Sequence, residues 1–168
     1  MTPVEQFTHY YRSPDSPFRF MVHADDDEVI REWTDFYIPP PSVPKEGLIV
    51  DVGARDGDSA LFYVVLGYKN LRLVEPWHQY WENLEHNVEL LRKMGATVEV
   101  THEPYKPEHL QGVAFVKFDC EGCEKRVDLT QLKVPAVAEI HIEPRMVEGE
   151  VEVFNYAPRI GYLKWFPS

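Results

Sequence analysis

The sequence predicts an α/β protein built on a doubly wound, mostly parallel sheet. Two observations carry this. From residue 47 onward, short apolar runs rich in Val, Ile and Leu recur, as in strands buried on both faces. Between them lie segments of helical periodicity that stop at glycines. Strands alternating with helices are joined by crossovers, and crossovers make neighbouring strands parallel.

Leu48 to Val52 is the first strand, followed by a loop from Gly53 to Gly57. Ser59 is expected to cap a helix running to about Leu66, with Gly67 as its stop. Leu71 to Val74 is the second strand. Trp81, Leu84, Val88 and Leu91 share one face of the next helix, which ends near Gly95. Thr97 to Val100, Val113 to Phe118 and Ala136 to Ile142 supply three further strands. Val151-Glu152-Val153 alternates like a strand, although a helix ending before Gly161 also fits, and Tyr162 to Phe166 reads as a closing strand.

Ahead of this core, residues 1–24 read as an irregular aromatic arm with Phe7, Tyr10, Tyr11, Phe18 and Phe20. Asp25 to Glu28 opens a helix, and the spacing of Asp25 and Glu28 suits a capping box. That acidic run is read as a helix start rather than a metal site. Val29, Ile30, Trp33, Phe36 and Tyr37 follow at helical spacing, then Pro39, Pro40, Pro41 and Pro44 make a stiff connector. One domain is expected over 1–168, with residues 1–46 as arm and helix and 47–168 as core.

The 168 residues suffice for one sizeable core, and 44% hydrophobic with 27% charged residues fits a globular protein. No apolar run approaches the roughly 20 residues of a membrane span. The N-terminus has no basic stretch leading into an apolar one, so the cytoplasm is the expected location. The formal charge of -11 repels phosphate backbones and argues against a nucleic-acid partner, the one thin basic cluster being Lys117, Lys125 and Arg126. Cys120 and Cys123 have no second cysteine pair to complete the roughly four ligands of a zinc site. They are read as small buried residues at a helix start, with a redox pair as the alternative. No metal site is expected.

The sharpest feature is Val50-Asp-Val-Gly-Ala-Arg-Asp-Gly-Asp-Ser59 between a strand and a helix. Ligands of such sheets bind beyond the carboxyl ends of the strands. The spacing is not the G-x-G-x-x-G of a dinucleotide site. Asp51, Asp56 and Asp58 would repel a pyrophosphate, whereas S-adenosylmethionine, with an ammonium and a sulfonium, suits an acidic surround. Its carboxylate would take loop amides or Arg55. Glu75 ends the second strand, where a carboxylate can accept both ribose hydroxyls.

Three segments together resemble the FkbM-type methyltransferases. They are Val50 to Ser59, Leu73-Val-Glu-Pro-Trp77 with Asn83, Leu84 and Asn87 after it, and Phe115-Val-Lys-Phe-Asp-Cys-Glu-Gly-Cys-Glu124. The last is similar to the family's K-x-D-x-E-G-x-E signature at Lys117, Asp119, Glu121, Gly122 and Glu124. The resemblance spans roughly residues 20–145. It implies a Rossmann-like class I fold with S-adenosylmethionine as cofactor. The implied cofactor set is Asp51, Gly53, Ala54, Arg55, Asp56, Gly57, Ser59, Glu75, Pro76 and Glu103. Of these, Asp51, Gly53, Asp56, Gly57 and Ser59 hold the methionine part, Glu75 the ribose, and Glu103 lies near the adenine. Cys120 and Cys123 depart from the family's small apolar residues. The span after the fifth strand is short, so any lid is expected to be small.

Methyl transfer needs the acceptor placed near the methyl and, for a hydroxyl, its proton removed. Asp119, at the end of the fourth strand, is the expected base or acceptor-orienting group. Lys117, two residues earlier, would face the same side and lower the acceptor pKa or pair with Asp119. Glu121 follows in the turn, and the alternative for all three is a structural pair and a helix start. Glu139 and Glu143 lie near the fifth strand, and Glu143 is expected to reach the cleft. His102, His109 and His141 have no ligand spacing. The expected activity is O-methylation of a small molecule or sugar. The alternatives are an RNA or protein acceptor, or a non-catalytic cofactor-binding partner subunit. The acceptor, the pathway and any homo-oligomer stay open.

Overall fold

The computed structural model describes residues 1–21, 26–127, 131–141, 150–157 and 160–167. Its strands are β1 (Leu48–Val52), β2 (Asn70–Val74), β3 (Thr97–Thr101), β4 (Val113–Phe118), β5 (Ala136–His141), β6 (Glu150–Ala157) and β7 (Ile160–Phe166). Its helices are α1 (Pro3–Arg12), α2 (Asp26–Glu32), α3 (Asp58–Val65) and α4 (Trp81–Lys93). The strands form one sheet in the order β3-β2-β1-β4-β5-β7-β6. β3 to β5 run parallel, and β7 enters antiparallel beside β5 with β6 at the edge. The order reverses at β1, which places the carboxyl ends of β1 and β4 at a topological switch point. The expected doubly wound, mostly parallel sheet is therefore present.

Apolar side chains cover both sheet faces. One core joins Ile49, Leu71, Leu73 and Phe115 to α3 and α4 through Leu61, Leu84, Val88 and Leu91. The other gathers Val50, Val52, Val116, Phe118, Leu163 and Trp165. Alternate residues of β1 and β4 thus serve opposite faces, as a period of two requires.

The sequence suggested an irregular N-terminal arm, but only part of it is irregular. Residues 3–12 form α1, whose start is fixed by Thr2 and Glu5 in a reciprocal capping box with Pro3 in the first turn. Phe7, Tyr10 and Tyr11 lie on this helix, whereas Phe18 and Phe20 belong to the irregular segment after it and pack against the same core. Phe7 is fully buried, with Trp33 at 4.9 Å and Phe62 at 5.3 Å between ring centroids. The expected Asp25–Glu28 cap lies outside the described residues. α2 continues into a π-helical turn, Trp33–Tyr37, that buries Trp33, Phe36 and Tyr37.

Ser59 is not the cap of α3. Gly57, with φ of 90°, takes that position and Asp58 opens the helix, leaving the Ser59 hydroxyl free to turn inward. Cys120 and Cys123 are joined in a disulfide, and Cys123–Arg126 is a single 3-10 turn, not the start of a long helix. The strand reading of residues 151–153 holds within β6. No helix among the described residues is long and apolar enough to cross a membrane.

Candidate active site

The carboxyl ends of β1, β2, β4 and β5 open on a cavity of about 530 Å³. Its near wall is the loop after β1. Gly53 has a φ of 84°, and a Cβ there would fall 1.7 Å from the Asp119 carbonyl oxygen. Only glycine lets this loop lie against the end of β4, where the Asp119 N–H donates to Val52 O at 2.9 Å.

Asp51 does not face the cavity as an open carboxylate. Strand register sets it beside Lys117, whose Nζ donates to Asp51 Oδ1 at 2.8 Å. The Ser59 hydroxyl donates to Asp51 Oδ2 at 2.5 Å. Burial opposes charge on Lys117, but Asp51 and then Asp119 more than offset it, and the ammonium is held above its ordinary range. Lys117 thus pairs with Asp51, not with Asp119 as its spacing had allowed. Both side chains nonetheless line the same cavity.

Asp56 is buried beneath the loop. Its Oδ2 accepts from the Met21 N–H at 2.7 Å, and Oδ1 has no hydrogen-bond partner among the described residues. Burial, with Asp58 next, pushes its carboxyl up to about 7. Ala54 is buried and does not line the cavity, whereas Arg55 and Asp58 do. The Arg55 guanidinium lies 5.3 Å from the Tyr80 ring centroid.

Glu75 is 2% exposed yet reaches the cavity wall beside Pro76. Its Oε1 accepts from Arg55 N–H at 2.8 Å and its Oε2 from Trp77 N–H at 2.9 Å. Each oxygen keeps a lone pair for a further donor. Burial raises its pKa, and the two backbone donors partly counter this. Glu103 is not at the cavity. Its carboxylate accepts from Lys106 Nζ at 3.0 Å and lies 2.7 Å from His109 Nε2. The turn after β3 uses that acid itself.

The far wall holds Asp119 and Glu121 with Glu32 from α2, Glu139 from β5 and Tyr162 from β7, and the fully buried Tyr37 of the π-helical turn meets them from within. The sequence singled out neither Glu32 nor Tyr162 as a site residue and placed Glu139 only near the fifth strand. Register places Glu139 opposite Tyr162. The Tyr37 hydroxyl oxygen lies 2.9 Å from both Glu32 Oε1 and Asp119 Oδ2. Oxygens of Glu32, Asp119 and Glu139 all lie within 4.8 Å of one another. Glu139 of the fifth strand lines the cleft, and Glu143 lies outside the described residues. The signal for Glu139 was its central place in a strand otherwise apolar up to Ile140. Glu32 carried none, because it sits on the polar side of an α-helical reading.

Searches against family models and against curated proteins found no match. Comparison with solved structures did. An RNA methyltransferase from Salinibacter ruber, in complex with S-adenosyl-L-homocysteine, aligns with a TM-score of 0.61 at 13% identity over 88% of this chain and 95% of that one. The fold is that of the class I methyltransferases. A precorrin-6Y C5,15-methyltransferase from Geobacter metallireducens shares this methyltransferase fold, with a TM-score of 0.59 at 13% identity over 92% and 96% of the two chains. A putative methylase from Haemophilus influenzae aligns at 0.61 and 14% over 84% and 98%.

Proposed function

We propose that the chain is an S-adenosylmethionine-dependent methyltransferase of FkbM type that methylates a hydroxyl on a small molecule or sugar. The carrying observation is that Glu75 and Asp119 open on one cavity from opposite walls. Glu75 has two unused lone pairs for ribose hydroxyls. The Gly53 loop, with Arg55, suits the methionine carboxylate, and Asp58 the ammonium. Asp51 and Ser59 serve by holding Lys117 and the loop in place. Glu103 is left out of the cofactor set. When bound, the cofactor supplies an electrophilic methyl whose sulfur retains the electron pair of the breaking bond. Asp119 orients the acceptor hydroxyl and takes its proton.

The Salinibacter ruber neighbour raises RNA as an acceptor. The cavity lining argues for a smaller, non-phosphate one: Glu32, Asp58, Glu75, Asp119, Glu121 and Glu139 stand against Arg55 and Lys117. A single domain acting in the cytoplasm belongs to the same proposal. There, a bond such as Cys120–Cys123 would be a reversible one.

Titration calorimetry tests the reading. Micromolar binding of S-adenosylmethionine and S-adenosylhomocysteine, no binding of NAD, and a loss on the order of tenfold or more in Glu75→Ala are expected. Binding of NAD alone would sink it. Binding without transfer to any hydroxyl acceptor would leave a non-catalytic partner subunit.

A further inference from the structure

The π-helical turn at Trp33–Tyr37 does something an α-helix could not. In an α-helix of about 3.6 residues per turn, residues five apart point roughly 140° away from each other. The i to i+5 bonding of a π-turn brings them to one face, and such turns recur at functional sites. Glu32 and Tyr37, five apart, meet side chain to side chain at 2.9 Å on the cavity's far wall.

From there a line of contacts runs across the site. Tyr162 borders Glu32, Glu32 and Asp119 each lie 2.9 Å from the Tyr37 hydroxyl oxygen, and carboxyl oxygens of Glu32, Asp119 and Glu139 lie within 4.8 Å of one another. A hydrogen bond needs one hydrogen between its two oxygens. The single Tyr37 hydrogen cannot fill both contacts, so one of Glu32 and Asp119 must be protonated. Glu139 stands against the same two carboxyls, and like charges this close resist ionising together. Burial first, and then Asp119, raises Glu32; burial first, and then the hydrogen bond with Asp119, raises Glu139 to about 10. The Lys117 ammonium faces Asp119 from the β4 side. Glu121 adds a like charge near Glu139. Burial also keeps both phenols protonated.

We propose that Tyr37 is a positioning residue that, with protonated Glu32 and Glu139 on either side, focuses the single negative charge of this cluster on Asp119 at the acceptor side of the cavity. Glu32 donates to the Tyr37 oxygen, Tyr37 donates to Asp119, and Glu139 donates to Asp119 from the other flank. The catalytic consequence rests on the methyl-transfer reading. As the new C–O bond forms, the acceptor O–H bond breaks and its proton passes to Asp119. The methyl–sulfur pair stays on sulfur. The proton count rests on this chain alone.

The deciding measurement is a carbon-13 carboxyl NMR titration of the whole chain without cofactor or acceptor. Besides Asp56, which titrates at about 7, two side-chain carboxyls should remain protonated at pH 7, one vanishing in Glu32→Gln and the other in Glu139→Gln. These near-isosteric variants spare the packing of the fully buried Tyr37. Ionised Glu32 and Glu139 at pH 7 would overturn the proposal, whether or not the chain binds S-adenosylmethionine. Tyr37→Phe should bind cofactor within about twofold of the wild type and lower kcat by on the order of tenfold. Asp119 then loses a donor to its ionised form, so the acid limb of the pH–rate profile should move to higher pH. An unmoved acid limb would also overturn the proposal.

Discussion

Asp51 and Lys117 illustrate how one residue's burial decides its task. With Asp51 fully buried and Lys117 at 2% exposure, neither charge has water to fall back on. Their pairing is close, and Ser59 satisfies the second carboxylate oxygen. Removing one partner of such a pair leaves the other uncompensated. Lys117→Met should therefore cost about 3–5 kcal/mol of stability in urea denaturation. Replacing both partners by apolar residues of similar size should cost less. A single variant as stable as wild type would mean that Asp51 is solvated or protonated, contrary to the geometry. The sequence showed both residues as site candidates. It did not show that they neutralise each other, because that depends on β1–β4 register, which no local pattern encodes.

At the scale of elements, the parallel strands and the loop after β1 were legible because each is written locally. β-branched runs, glycines at positive φ and helical stripes occupy contiguous residues. α1 was missed because its aromatic stripe reads as irregular until the Thr2–Glu5 box is recognised as its start. The rest of the far wall, beyond Asp119 and Glu121, was missed for a different reason. Glu32, Tyr37, Glu139 and Tyr162 lie on four separate elements that only the tertiary fold brings together. The π-turn hides Glu32 further, since it breaks the 3.6 period by which faces are assigned. The disulfide after β4 closes a loop of only four residues, for which the chain-entropy model gives about 2 kcal/mol. Cys120→Ser with Cys123→Ser should therefore lower stability by no more than about that amount, read from urea midpoints in matched oxidising buffers. A loss of twice that size would show that the bond holds more than its own turn.

For the whole molecule, pH is the lever. Asp56 is raised from 3.8 to about 7 by burial and then by Asp58. A carboxyl raised on folding binds its proton more tightly in the native state than in the unfolded one. Its contribution is fully present below the unfolded range and is lost as pH climbs from about 4 to about 7. Asp56→Asn keeps an oxygen for the Met21 N–H and removes the ionisation. The wild type should lose stability relative to this variant across that interval, and the gap should level off above it. Thermal melts of both proteins from pH 4 to 9 would show it; parallel curves would contradict the buried, raised state. Glu139 acts in the same direction over a wider interval, ending at about 10.

The two walls of the cavity are written at different places along the polypeptide. Gly53, Arg55 and Glu75 lie within one continuous stretch, whereas the acid line draws on Glu32 near one end and Tyr162 near the other. During synthesis the N-terminal parts of a domain emerge first. The ribosome thus delivers the Gly53 loop and Glu75 well before β7 can seat Tyr162 against Glu32. A nascent chain would carry the Gly53 wall before the Glu32–Tyr162 side is in place, and on the proposed reading competence for transfer would arrive only with β7.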